Sequence, residues 1–209
     1  KYGHTAPLGK VRINEAGHPL PDDAGLRGAR EIIDLLRGTG ENDLVICLIS
    51  GGGSALLHVP AEGLTLADTQ GLTRALLECG ATIHEINALR KHVSAVKGGR
   101  LARLAYPSTL VSLILSDVIG DDLDTIASGP TVPDSVTFAG CGAVIDKYNL
   151  RGKIPASVES YIDKGVNGET GETPKPGDPA FLKTQNVIVG SNILSAIAAK
   201  KKAGELGYE

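Results

Sequence analysis

Apolar and polar positions change their period repeatedly along the chain, and the changes outline alternating helices and strands. From Asp23 to Leu36, the residues Leu26, Ala29, Ile33 and Leu36 recur at helical spacing, which predicts a helix with Asp22 as its N-cap. Leu44 to Ser50 is an apolar run too uniform for a strand with one wet face, so it predicts a strand of a parallel sheet buried on both faces. Gly51, Gly52 and Gly53 follow directly and lead into Ser54-Ala55-Leu56-Leu57, the expected opening of a helix. A capping-box pattern at Thr65-Leu66-Ala67-Asp68 starts the next helix, and another is expected from Ile83 through Arg90 to Val96. Further strands are expected at Lys10 to Asn14, Leu110 to Leu115 and Asn186 to Val189. Helices are expected at Cys141 to Tyr148, at Ala156 to Lys164 and from about Ser191 onward. Ser116 to Asp134 reads as irregular, and Gly165 to Ala180, rich in Gly, Pro and Thr, as an exposed connection.

The alternation predicts an α/β fold, Rossmann-like, with a mostly parallel sheet and helices on both faces. The strands ending at Ser50, Ser116 and Gly190 then share one sheet edge, where open α/β folds bind ligands.

With 209 residues and 42% hydrophobic content, the chain can bury one sizeable core. A net charge of -3 gives no global attraction to nucleic acid or an anionic membrane, so any phosphate site must be a local cluster. No apolar run approaches the length of a membrane span, and the opening residues Lys1-Tyr2-Gly3-His4 do not read as a signal peptide. Cys47, Cys79 and Cys141 are isolated, with no zinc spacing, and are expected as reduced thiols in a cytoplasmic setting. The chain lacks Met and Trp, begins abruptly at Lys1 and stops just after a helical stretch, so it is expected to be incomplete at both ends.

Three stretches carry candidate chemistry. The Ser50-Gly51-Gly52-Gly53-Ser54 turn can direct main-chain N–H groups at an anion, because glycine admits positive φ and close approach. It is neither a phosphate loop of the GKS/GKT type nor a GxGxxG fingerprint, since Leu56 stands where the third glycine would fall. In Asn87 to Ala102, helical spacing gathers Asn87, Arg90, Lys91, Ser94 and Lys97 on one face, either a solvated basic surface or a cationic wall for phosphate or carboxylate. In Leu113 to Thr131 a strand runs into Asp117, with Asp121, Asp122 and Asp124 beyond it. These carboxylates suit Mg²⁺ or a base for a hydroxyl, whereas Asp122 and Asp124 also fit an ordinary polar loop. His18, between Gly17 and Pro19, reads as a turn residue, and His4, His58, His84 and His92 lack metal-ligand spacing.

The stretches "EAGHPLPD", "LISGGGSALL", "GATIHEINALRKHVSAVKGGRLA", "LILSDVIGDDLDTIASGPTVPD", "ETPKPGDP" and "VIVGSN" occur in this order over almost the whole chain. Together they resemble the ATP-dependent glycerate 2-kinases, the class with a C-terminal MOFRL domain, whose members have often been labelled hydroxypyruvate reductases. The resemblance implies that residues 1–209 are a Rossmann-like N-terminal domain, without the glycine-flanked lysine that precedes it and without the MOFRL domain. It implies an enzyme that transfers the γ-phosphoryl group of ATP to the 2-hydroxyl of D-glycerate, with ATP and Mg²⁺ as cofactors, giving 2-phosphoglycerate. A homodimer is left open. A hydroxypyruvate reductase or a non-catalytic sensor of sugar acids or phosphate is the alternative. Under the resemblance, Ser50, Gly51, Gly52, Gly53 and Ser54 hold an anionic group. Lys91 and Lys97, with Arg90 and Asn87 nearby, neutralise phosphate or carboxylate oxygens. Asp117 is metal ligand or base, with Asp121 second at the metal, and Ser191 and Asn192 complete the edge.

Overall fold

The computed structural model describes residues 1–208. The three strands β1 (Leu44–Ile49), β2 (Thr109–Ser116) and β3 (Thr184–Ser191) form one parallel sheet in the order β1-β2-β3. Among the described residues eight α-helices accompany it: α1 (Asp23–Arg37), α2 (Gly53–Leu56), α3 (Leu66–Glu78), α4 (Ile83–His92), α5 (Arg100–Ala105), α6 (Phe138–Lys147), α7 (Ala156–Val166) and α8 (Asn192–Glu205). The expected α/β architecture with a parallel sheet is therefore present. Lys10 to Asn14 forms no strand and is exposed, with no partner strand among the described residues.

Local chemistry sets the helix starts. The Asp22 carboxylate accepts the Gly25 N–H at 2.8 Å, and α1 then buries Ala29, Ile33 and Leu36. Thr65 accepts the Asp68 N–H at 3.1 Å while Asp68 accepts the Thr65 N–H at 2.7 Å, closing the capping box of α3. An equivalent box, Thr82 with Glu85, starts α4. The helices α3, α4, α6 and α7 pack into one core through Leu72, Leu89, Phe138, Ile145, Val158 and Ile162. The sheet contributes a separate core, in which Leu110 meets Leu36 of α1 and Leu101 and Ala105 of α5.

The sheet differs from expectation in its burial. Along β1, the side chains of Leu44, Ile46 and Leu48 are exposed while their neighbours are half-buried. Successive strand residues point to opposite faces, so α1 and α5 cover one face and the other is largely open at β1. Helix α8 covers little, since none of its residues is buried. No helix among the described residues is long and apolar enough to cross a membrane.

Candidate anion site

The cleft that concerns function begins where β1 ends. Gly52 has φ +84° and Gly53 opens α2, a helix of only four residues, too short to add much of a helix dipole at the turn. Within the turn, no main-chain N–H of residues 51–54 donates to an acceptor among the described residues. These amides border a cleft of about 400 Å³ with His18, Arg90, Lys97, Asp117 and Ala127 around it.

The turn admits little else. A Cβ on Gly51 would collide with Oδ2 of Asp117, and one on Gly53 would come within 2.8 Å of the Ala127 Cβ. Ala127, Ser128 and Gly129 all take positive φ, at 52°, 60° and 56°. Each non-glycine residue in that conformation costs on the order of 1 kcal/mol, and surrounding bonds hold the segment in place. Gly98 N–H donates to Ser128 O at 3.0 Å, and Gly99 N–H to Gly129 O at 2.7 Å. Ser128 Oγ lies 2.8 Å from Ser54 Oγ and donates to Asn87 Oδ1 at 3.0 Å. Ser54 and Asn87 thus line the cleft while also bracing its wall.

Helix α4 stops at His92, so Ser94 and Lys97 lie beyond it and the expected single basic face does not form. Asn87, Lys91, Ser94 and Lys97 are all buried, which removes the solvated-surface reading for them. Lys97 is 1% exposed, and its Nζ donates to Leu57 O at 2.6 Å, at the far end of α2. Burial, and then the charge of Arg90, pushes its pKa down to about 7. Arg90 lines the same cleft, and neither cation has a carboxylate partner among the described residues. Burial lowers the pKa of Arg90 too, though a guanidinium stays charged. His58 also faces the cleft, with Nε2 2.9 Å from Thr69 Oγ1. Burial, followed by Lys97 and Arg90, pushes its pKa down to about 3, so it stays neutral beside them.

Lys91 points elsewhere. Its ammonium pairs with Asp124 and, at 3.4 Å, with the buried Asp134, and it does not line the cleft. Asp134 accepts the Thr173 hydroxyl at 2.9 Å, while His92 Nε2 lies 3.2 Å from Glu172. Thr173 and Pro174 are consequently buried, and Gly165–Ala180 is not the uniformly exposed connection expected.

The acidic loop separates in the same way. Asp117 borders the cleft, whereas Asp121 does not. Asp122 accepts the Thr125 hydroxyl at 3.0 Å, as an ordinary polar turn does. No group of three potential metal-ligating side chains occurs among the described residues. Ser50 faces a second cavity behind the turn. Ser191 caps α8, and Asn192 Nδ2 donates to Asp117 O at 2.9 Å, so both support the sheet edge without lining the cleft. His18, read from sequence as a turn residue, does line it.

A family model described as "Domain of unknown function (DUF4147)" matches residues 1–163. A glycerate 2-kinase of Pyrococcus horikoshii is 44% identical over 209 residues, covering 100% of this chain and 47% of that protein. An Agrobacterium vitis protein, provisionally named a hydroxypyruvate reductase, is 48% identical over 199 residues, 95% of this chain and 44% of that protein. The crystal structure of a glycerate kinase from Thermotoga maritima superposes with a TM-score of 0.86 at 42% identity, over 100% of this chain and 48% of that one. The chain spans about half the length of these relatives.

Proposed function

This chain belongs to the DUF4147 family, and on that premise we propose that it is the Rossmann-like N-terminal domain of an ATP-dependent glycerate 2-kinase. The rest of the enzyme, including the MOFRL domain, supplies further groups. The reaction proposed is transfer of the γ-phosphoryl group of ATP to the 2-hydroxyl of D-glycerate. One observation carries the reading: the free amides of the glycine turn, two cations without carboxylate partners and the Asp117 carboxylate border the same cleft. The names of the kinase relatives support it.

Phosphoryl transfer asks a protein for positioning and charge neutralisation more than for covalent chemistry. In this reading the amides of Gly51 to Ser54 bind oxygens of the phosphate chain, and Arg90 and Lys97 neutralise phosphate or the glycerate carboxylate. Asp117 accepts the proton of the 2-hydroxyl as its oxygen bonds to the γ-phosphorus and the bond to the ADP oxygen breaks. One cleft carboxylate also fits Mg²⁺, which commonly binds one or two carboxylates together with substrate phosphates and would supply charge neutralisation here. Asp117 would hold it, and Asp121 stands apart. Lys91, tied to Asp124 and Asp134, orders the wall behind the cleft. A reductase reading has less support, because Leu56, within α2, occupies the place of the third fingerprint glycine.

The test is phosphorus NMR of the complete protein with D-glycerate, ATP and Mg²⁺. The expected product is 2-phosphoglycerate, with turnover falling at least about 100-fold in Asp117→Asn. A folded protein that phosphorylates neither glycerate nor related hydroxy acids would refute the kinase assignment.

A further inference from the structure

His18 takes no part in the reaction as described above, yet its imidazole lies over the glycine turn. A Cβ placed on Gly52 would lie 3.1 Å from His18 Cδ2 and 3.2 Å from Nε2. One residue earlier, a Cβ on Gly51 would meet the Asp117 carboxylate. Adjacent glycines therefore bring an imidazole edge and a carboxylate against the same turn, on the border of the same cleft. Neither side chain has a hydrogen-bond partner among the described residues, Asp117 being held only through its carbonyl.

The segment that carries the ring is anchored just after it, at Pro21 and Asp22. Asp22 caps α1 and also accepts the Tyr2 hydroxyl at 2.6 Å, while Gln70 of α3 donates to Pro21 O at 2.7 Å. A would-be Cβ on Gly17 lies 2.8 Å from Leu20 O, so the turn through His18 is tight. The result is an exposed, uncommitted imidazole held against main-chain donors that can receive an anion.

We propose that His18 is a further catalytic residue of the phosphoryl-transfer site, its ring N–H donating to an oxygen of the phosphate chain. The glycine-turn amides take the other oxygens, and Asp117 faces the accepting hydroxyl. The proposal rests on the kinase reading for its chemistry, but the contact itself can be measured without turnover.

Calorimetric titration of ATP into the complete protein would compare the unsubstituted form with His18→Ala and His18→Gln. Loss of one charge-assisted hydrogen bond predicts about tenfold weaker ATP binding in His18→Ala. His18→Gln keeps an N–H donor and should recover most of that loss. Turnover should fall about 100-fold in His18→Ala. The ring is exposed, so the unfolding midpoint should stay within about 2 °C of the unsubstituted protein. ATP affinity within twofold in His18→Ala would overturn the proposal, as would His18→Gln binding no better than His18→Ala. The predicted affinities with no turnover in any form would refute the kinase reading and leave the contact standing.

Discussion

Removing an ammonium from water with one carbonyl as its acceptor costs free energy, and Lys97 is in that position next to a second cation. An anion entering the cleft relieves both charges. With the pKa lowered from 10.5 to about 7, the free protein loses this cation as pH rises through neutrality. Between about 7 and 10.5 the unfolded chain binds more protons than the folded one, so this group adds stability with rising pH across that window; below it the penalty is constant. ATP or glycerate affinity is therefore expected to weaken as pH rises above about 7, and Lys97→Met should remove most of that dependence. The variant should bind at least about tenfold more weakly. Its unfolding midpoint should shift only a few degrees, because the lost charge burial offsets the stranded Leu57 carbonyl. Calorimetric titrations over pH, with melts alongside, check both. An unchanged pH dependence in Lys97→Met would place the titrating group elsewhere.

At the scale of elements, the early end of α4 decides which basic residues reach the cleft. Helical spacing continues through the buried Val93 and Val96, so the sequence pattern runs past the true end at His92. The helix stops where the chain bonds to Val59 and Ala61 instead: Ala61 N–H donates to Val93 O at 2.9 Å, and Ala95 N–H to Val59 O at 2.8 Å. These partners lie some thirty residues upstream, beyond any local periodicity. The same limit applies to Lys91, whose partner Asp134 is 43 residues away. The three strands of the sheet, the Thr65 capping box and the glycine turn were legible because each is written in adjacent residues, whereas the strand expected at Lys10 to Asn14 does not form and the Thr82 box was not read. A lone His18 carries no periodic signal, and only the fold brings it over Gly52. The buried network is expected to be structural: Asp134→Ala removes a partner from Lys91 and from Thr173 and should destabilise the domain by about 3 kcal/mol. Chemical denaturation measures this. A change below about 0.5 kcal/mol, the range of ordinary surface substitutions, would contradict the role assigned to the network.

For the molecule as a whole, a small parallel sheet and a four-helix core hold the cleft between them; the glycine turn and Asp117 follow strands, Arg90 and Lys97 come from α4 and the loop after it, and His18 from the segment before α1. The apolar run of β1 predicted burial on both faces, but the described residues cover only one, and Leu44, Ile46 and Leu48 stay exposed. A run of apolar side chains records a preference for burial without specifying what provides it. The most direct test of the anion site is an amide NMR titration of this chain with ATP. An anion site at the turn predicts the largest shifts at the N–H groups of Gly51, Gly52, Gly53 and Ser54, saturating together and lost on combined Arg90→Ala and Lys97→Met substitution in a chain that remains folded. Shifts that leave those four amides unmoved while ATP binds elsewhere would contradict it.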